Sequence, residues 1–253
     1  MNGGAMLPGW SRESIAGKPA DIFHPPGIER PRFAILFLHV HSDTLQLPSD
    51  NAAYTAELAR HGLPCCAPHG MRSWWADRVC PEFDPHRTAQ RFLLDDVLPW
   101  MAQRWQLSPR AVAAAGISMG GQGAVRLAFR HPEVIPVAAS VSGAFDYHEV
   151  YGQGLPLDAM YESRERCRQD TAILHIDPNR FPPYVWFACD PTDTQWYRGN
   201  DRLHEKLTAM GLPHVADLET SAGGHSWAYF DRMAAPMIGF VSEALRAESR
   251  RLV

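Results

Sequence analysis

The six residues Gly116-Ile117-Ser118-Met119-Gly120-Gly121 constrain this chain more than any other feature, because they fall where an apolar run ends and a helical pattern begins. Upstream, residues 110–115 are small and apolar enough for a central strand. Downstream, residues 122–131 read as a helix that Pro132 stops. A turn passing directly from a buried strand into a helix strains the residue at its apex. The flanking positions must lack a Cβ, which would strike the neighbouring strand or helix. The apex residue is Ser118, and the turn lifts its hydroxyl above the sheet edge. The same turn aims the backbone N–H of Met119 at the place where an oxyanion would form.

Short apolar runs alternate with helical patterns along the rest of the chain. Residues 33–39, 63–68, 134–142, 184–189 and 215–218 read as strands, and residues 52–61, 88–105 and 227–246 as helices. This alternation predicts an α/β fold with a mostly parallel twisted sheet covered by helices on both faces. At 253 residues and 45% hydrophobic content, the chain is long enough for one large core, so a single domain over residues 1–253 is expected. Residues 143–183 break the rhythm. An insertion of that size after a strand commonly covers a pocket, and it is read here as a cap or surface excursion.

A serine hydroxyl is a poor nucleophile at neutral pH and needs a base within hydrogen-bond reach, with a third group fixing the base's tautomer. Of the 12 histidines, His225 in Gly223-Gly224-His225-Ser226-Trp227 is the one between the last strand and the last helix, at the same sheet edge as Ser118. After the strand ending at Cys189 stand two carboxylates, Asp190 and Asp193. Asp193 is preferred as the acid, since Asp190 sits at the strand end before Pro191, a position suited to bonding the turn backbone. The second oxyanion donor is expected from the loop after the first apolar run: the N–H of His41, or alternatively of Val40. The spacing of His39, His41 and Asp43 also admits a metal reading, but no further ligand cluster accompanies it, and neither metal nor cofactor is expected.

The formal charge of −4 arises from interspersed residues without a basic stripe or acidic tail, which argues against nucleic acid or a membrane surface as partner and for a small-molecule substrate. Self-association stays open. The first ten residues show no basic leader or signal-length apolar run, and no stretch approaches 18 apolar residues, so a cytoplasmic location is expected. Five cysteines, odd in number and without a C-x-x-C pair, argue against a disulfide framework. Adjacent Cys65 and Cys66 should face opposite sides of a strand.

With these residues in place, the chain resembles the esterase family of α/β hydrolases, which includes esterase D (S-formylglutathione hydrolase), feruloyl esterases and mycolyltransferases. The resemblance spans residues 34–240. It rests on Gly116-Ile117-Ser118-Met119-Gly120-Gly121-Gln122-Gly123 with Ala128-Phe129 and His131-Pro132, on Ser142-Gly143, on Asp193-Thr194-Gln195-Trp196 and on Gly224-His225-Ser226-Trp227. It departs at Pro191, where a glycine is common, and at His39-Val40-His41, which replaces a Gly-containing loop. The resemblance implies an α/β-hydrolase fold, a triad of Ser118, Asp193 and His225, and oxyanion donors at Met119 and His41. It implies cleavage of a carboxylic or thio ester through an acyl-enzyme on Ser118. An acyltransferase using the same acyl-enzyme is the nearest alternative, and a catalytically silent binding module the more distant one.

Overall fold

The computed structural model describes residues 6–41 and 48–251. Residues 1–5 of the N-terminal reading, and Ser42 and Asp43 of the loop after the first apolar run, lie outside them. Among the described residues ten strands follow in chain order: β1 (Trp10–Ile15), β2 (Lys18–Phe23), β3 (Ala34–Leu38), β4 (Cys65–Pro68), β5 (Val79–Cys80), β6 (Asp84–Thr88), β7 (Val112–Ile117), β8 (Val137–Val141), β9 (Tyr184–Ala188) and β10 (Val215–Asp217). Eight of them make one sheet in the order β1-β2-β4-β3-β7-β8-β9-β10, and β5 pairs with β6 in a separate ribbon. From β4 to β10 every neighbour is parallel, whereas β1 and β2 join antiparallel at one edge.

The helices are α1 (Ala52–His61), α2 (Ala89–Phe92), α3 (Leu98–Trp105), α4 (Met119–Arg130), α5 (Leu157–Met160), α6 (Arg164–Gln169), α7 (Tyr197–Ala209), α8 (Trp227–Arg232) and α9 (Ala234–Arg251). Because side chains alternate along a strand, β3 sends Ile35 and Phe37 to the layer formed with α1 and α9, and Leu36 and Leu38 to the layer formed with α3, α4 and α7. Cys65 and Cys66 divide between the same two layers. Strand β7 is buried along its whole length and carries three consecutive alanines, small enough for α4 to lie close against it.

Four local features differ from the sequence reading. The edge hairpin β1–β2 carries no apolar run. It is set instead by Ala16 and Gly17 at φ 47° and 80°, a two-residue turn whose twist suits paired strands. The expected helix over residues 88–105 contains a π turn, in which the Leu98 N–H reaches the Leu93 carbonyl. Pro99 follows directly and has no N–H to give the Asp95 carbonyl of a regular helix. The expected helix over residues 227–246 is two helices broken at Met233, since Pro236 cannot bond the Arg232 carbonyl, and the second runs on to Arg251. Helix α7, not foreseen, is the crossover that parallel β9 and β10 require.

Residues 143–183 hold α5, α6 and two 3₁₀ turns, and they are moored to α4 by a buried ion pair. Arg126, fully buried on α4, donates to the Asp170 carboxylate and, at 3.0 Å, to the Asp170 carbonyl. The same carboxylate accepts from Tyr161 Oη at 2.7 Å and lies 3.2 Å from His175 Nε2. Burial by itself would raise the Asp170 pKa. The contacts with His175, Arg126 and Tyr161 outweigh that and hold it well below its ordinary value of 3.8.

Breaking such a pair leaves an uncompensated buried charge, so Asp170→Asn should destabilise the fold by about 3–5 kcal/mol in urea denaturation. Because the folded-state pKa is depressed, this contribution is complete above the ordinary carboxylate pKa and is lost as pH falls below it. Wild type should therefore lose stability below about pH 4 more steeply than the Asn variant does. Equal stability of the two proteins at neutral pH would contradict this account.

Candidate active site

Ser118 stands between β7 and α4 at φ 55° and ψ −117°. A non-glycine residue held in such a conformation costs on the order of 1–3 kcal/mol and persists only where its surroundings impose it. They do so here. A Cβ on Gly116 would overlap the Gly120 backbone, one on Gly120 would overlap the Leu38 carbonyl, and one on Gly121 would strike Ser140 Oγ. The Ser118 N–H donates to the Val141 carbonyl at 2.9 Å, and its own carbonyl accepts from Gln122 N and Ala144 N at 3.1 Å each. Met119 opens α4, so its N–H is among the first-turn amides that no helical carbonyl can reach.

His225 lies on the loop between β10 and α8, where Gly223 and Gly224 take φ 97° and 70° and Ser226 caps α8 by accepting from Tyr229 N. Its Nδ1 is 2.8 Å from Asp193 Oδ2, and its ring stands edge-on to Phe230 at 5.0 Å between centroids. With Nδ1–H donated to the carboxylate, Nε2 is left with a lone pair. Asp193 is buried and accepts Gln195 N and Trp196 N on its other oxygen, each at 3.0 Å. Burial raises its pKa, but the His225 contact and the two amides prevail, so the carboxyl is held below its ordinary range.

Asp190 serves a different end. Its carboxylate accepts Thr192 N at 2.7 Å within its own turn, then reaches across to Ala222 N at 2.6 Å, Gly224 N at 2.9 Å and Ser221 Oγ at 3.0 Å. The turn contact suits an Asp before Pro. The bonds to the histidine loop, some thirty residues away, have no signal in the local sequence.

The start of the loop after β3 is fixed by His39, which is fully buried. Its Nδ1 donates to the Val40 carbonyl at 2.7 Å and its Nε2 accepts Gly70 N at 2.9 Å. Burial pushes its pKa down to about 4, so the ring is neutral at neutral pH with both nitrogens engaged by main chain, leaving none for a metal. Asp43, the third residue of the metal reading, is outside the described residues. His41 follows, its ring 5.4 Å from that of Trp74. Among the described residues, no group of three or more His, Cys, Asp or Glu side chains is placed to hold a metal ion.

Two contributors were not foreseen. Gln122, one turn into α4, donates to the Trp74 carbonyl, and Trp74 and Trp75 both adopt positive φ. Neither residue type favours that backbone geometry, so the sequence carries no signal for it.

A mostly parallel sheet with a strained serine at its C-terminal edge, and an Asp–His pair on the two loops beyond, is the α/β-hydrolase arrangement. The model of the family described as Putative esterase matches residues 34–240, and the chain belongs to that family. Over 177 residues it is 43% identical to the diacylglycerol acyltransferase/mycolyltransferase Ag85C of Mycobacterium avium, covering 58% of this chain and 50% of that protein. The chain thus spans about half the length of this curated relative. Its fold is similar to an S-formylglutathione hydrolase from Agrobacterium tumefaciens, with TM-score 0.76 and 14% identity over 93% of this chain and 94% of that one. It is similar also to the fluorophosphonate-binding serine hydrolase FphF of Staphylococcus aureus, with TM-score 0.74 and 17% identity over 89% and 92%.

Proposed function

We propose that the protein is a serine esterase acting on carboxylic or thio esters of small molecules. The observation that carries this reading is the 2.8 Å contact of His225 Nδ1 with Asp193, on loops that leave the same sheet edge as the strained Ser118. In the proposed cycle Ser118 Oγ attacks the ester carbonyl and passes its proton to His225 Nε2, while Asp193 stabilises the imidazolium. The N–H groups of Met119 and His41 receive the negative charge on the carbonyl oxygen. Collapse expels the alcohol or thiol with the His225 proton, and water repeats the sequence on the acyl-enzyme. Residues 143–183 form one wall of the site in this reading. The five cysteines are all free, the state a reducing cytoplasm maintains, and cytoplasmic action is part of the proposal. No helix among the described residues is long and apolar enough to cross a membrane.

Acyl transfer is the second reading, favoured by the name of the mycobacterial relative. A fluorophosphonate should label Ser118, located by peptide mapping, and nitrophenyl acetate should be turned over with release of free acid. Folded protein that takes no label would return the chain to the class of binding modules. Release of an acylated alcohol in place of acid, when an alcohol is added, would move it to the transferases.

A further inference from the structure

Trp74 and Trp75 sit side by side at φ 55° and 52°, a left-handed conformation in which a bulky side chain is a true outlier. Both are buried. Trp75 accounts for itself as a wedge: its atoms fill the space that a Cβ on Gly70 or Gly123 would need, and its indole N–H donates to the His39 carbonyl at 3.3 Å. Trp74 is different. Its Nε1 is buried and has no hydrogen-bond partner among the described residues, a state that costs stability and calls for another reason to be kept.

That reason is visible in what surrounds the ring. It meets His41 at 5.4 Å, Tyr147 at 5.3 Å and Trp196 at 6.4 Å between centroids. His41 is on the proposed oxyanion loop, and Tyr147 is three residues past Ala144, whose N–H bonds the Ser118 carbonyl. Trp196 donates its N–H to Asp193. The Trp74 carbonyl is held by Gln122, whose N–H also bonds Ser118. The ring therefore lies at the centre of the segments that converge on the serine, outside the carboxyl ends of the strands where α/β proteins take their ligands. Tyr147 and Trp196 are themselves buried, so the space beside the ring is already filled.

We propose that Trp74 is a specificity-determining residue that closes the acyl side of the site, restricting the substrate to esters of short acids such as acetate and propionate. This rests on the serine-esterase reading above. A longer chain must displace a ring whose backbone is pinned at Gln122 and whose neighbours are three further aromatics, and a strained conformation kept at such a place is consistent with a functional constraint.

The test is a series of nitrophenyl esters from acetate to octanoate, with wild type, Trp74→Ala and Trp74→Gly. Glycine adopts positive φ without a Cβ penalty and so guards against a variant that fails to fold. Wild-type kcat/KM should fall by about 10-fold or more between propionate and octanoate, and both variants should raise the octanoate-to-acetate ratio by about 10-fold or more. Equal turnover of octanoate and acetate by wild type would overturn the proposal. So would an unchanged chain-length profile in a folded Trp74→Gly that takes fluorophosphonate at the wild-type rate. Absence of both labelling and turnover in wild type would instead refute the serine-esterase reading, and this inference with it.

Discussion

Ser118→Ala is expected to lower kcat for ester hydrolysis by on the order of 10⁶-fold while leaving the fold intact. The size follows from the proposed role: without the hydroxyl no acyl-enzyme could form, and whatever turnover persists would come from water placed near the proposed oxyanion donors. Stability should change little, because alanine keeps the Cβ and the backbone bonds to Val141, Gln122 and Ala144 that hold the turn. Steady-state assays on nitrophenyl acetate, with a thermal melt of the same preparation, give both quantities. A folded variant with wild-type turnover would remove Ser118 from the chemistry.

The two aspartates after β9 should separate cleanly. Asp193→Asn leaves a neutral amide against His225 Nδ1, which permits the wrong tautomer and removes the charge that stabilises the imidazolium. A loss of about 10⁴ in kcat is expected, with KM little changed. Asp190→Asn removes charge from a carboxylate that holds backbone, so its effect should appear first in stability and mobility of the histidine loop, with a far smaller loss in kcat. Measuring kcat, KM and urea midpoints for both variants decides the matter. A greater kcat loss for Asp190→Asn would transfer the acid's role to that residue.

Much of the architecture could be read from the chain because it depends on local pattern. A strand buried on both faces needs an unbroken apolar run, as in β3, β7 and β9, and a strand-to-helix turn as tight as that at Ser118 excludes a Cβ at Gly116 and Gly120. His225 stood out by its place between the last strand and the last helix. What escaped depends on contacts distant in sequence. Strand β1, with Trp10 and Ile15 buried at its ends and polar residues between, becomes a strand only because β2 pairs with it. The π turn at Leu93 and the break at Met233 escaped for a local reason instead, since a proline can end, kink or bulge a helix and the sequence alone does not say which. The positive φ of Trp74 and Trp75 has no local cue, since neither residue favours it. Their geometry is imposed by Gln122, His39 and the close approach of Gly70 and Gly123.

The Asp190 carboxylate gives the site a property that its neighbours alone would lack. By accepting amides from its own turn and from the loop carrying His225, it ties together two segments far apart in the chain. The imidazole and its acid then hold one relative pose before any ester arrives. In the proposed mechanism the ordering that the pair needs is completed during folding, so the barrier to acylation carries little entropic cost from assembling it. Under the proposed reading, gains in rate would then come from the substrate's fit, with the base and its partner already in place.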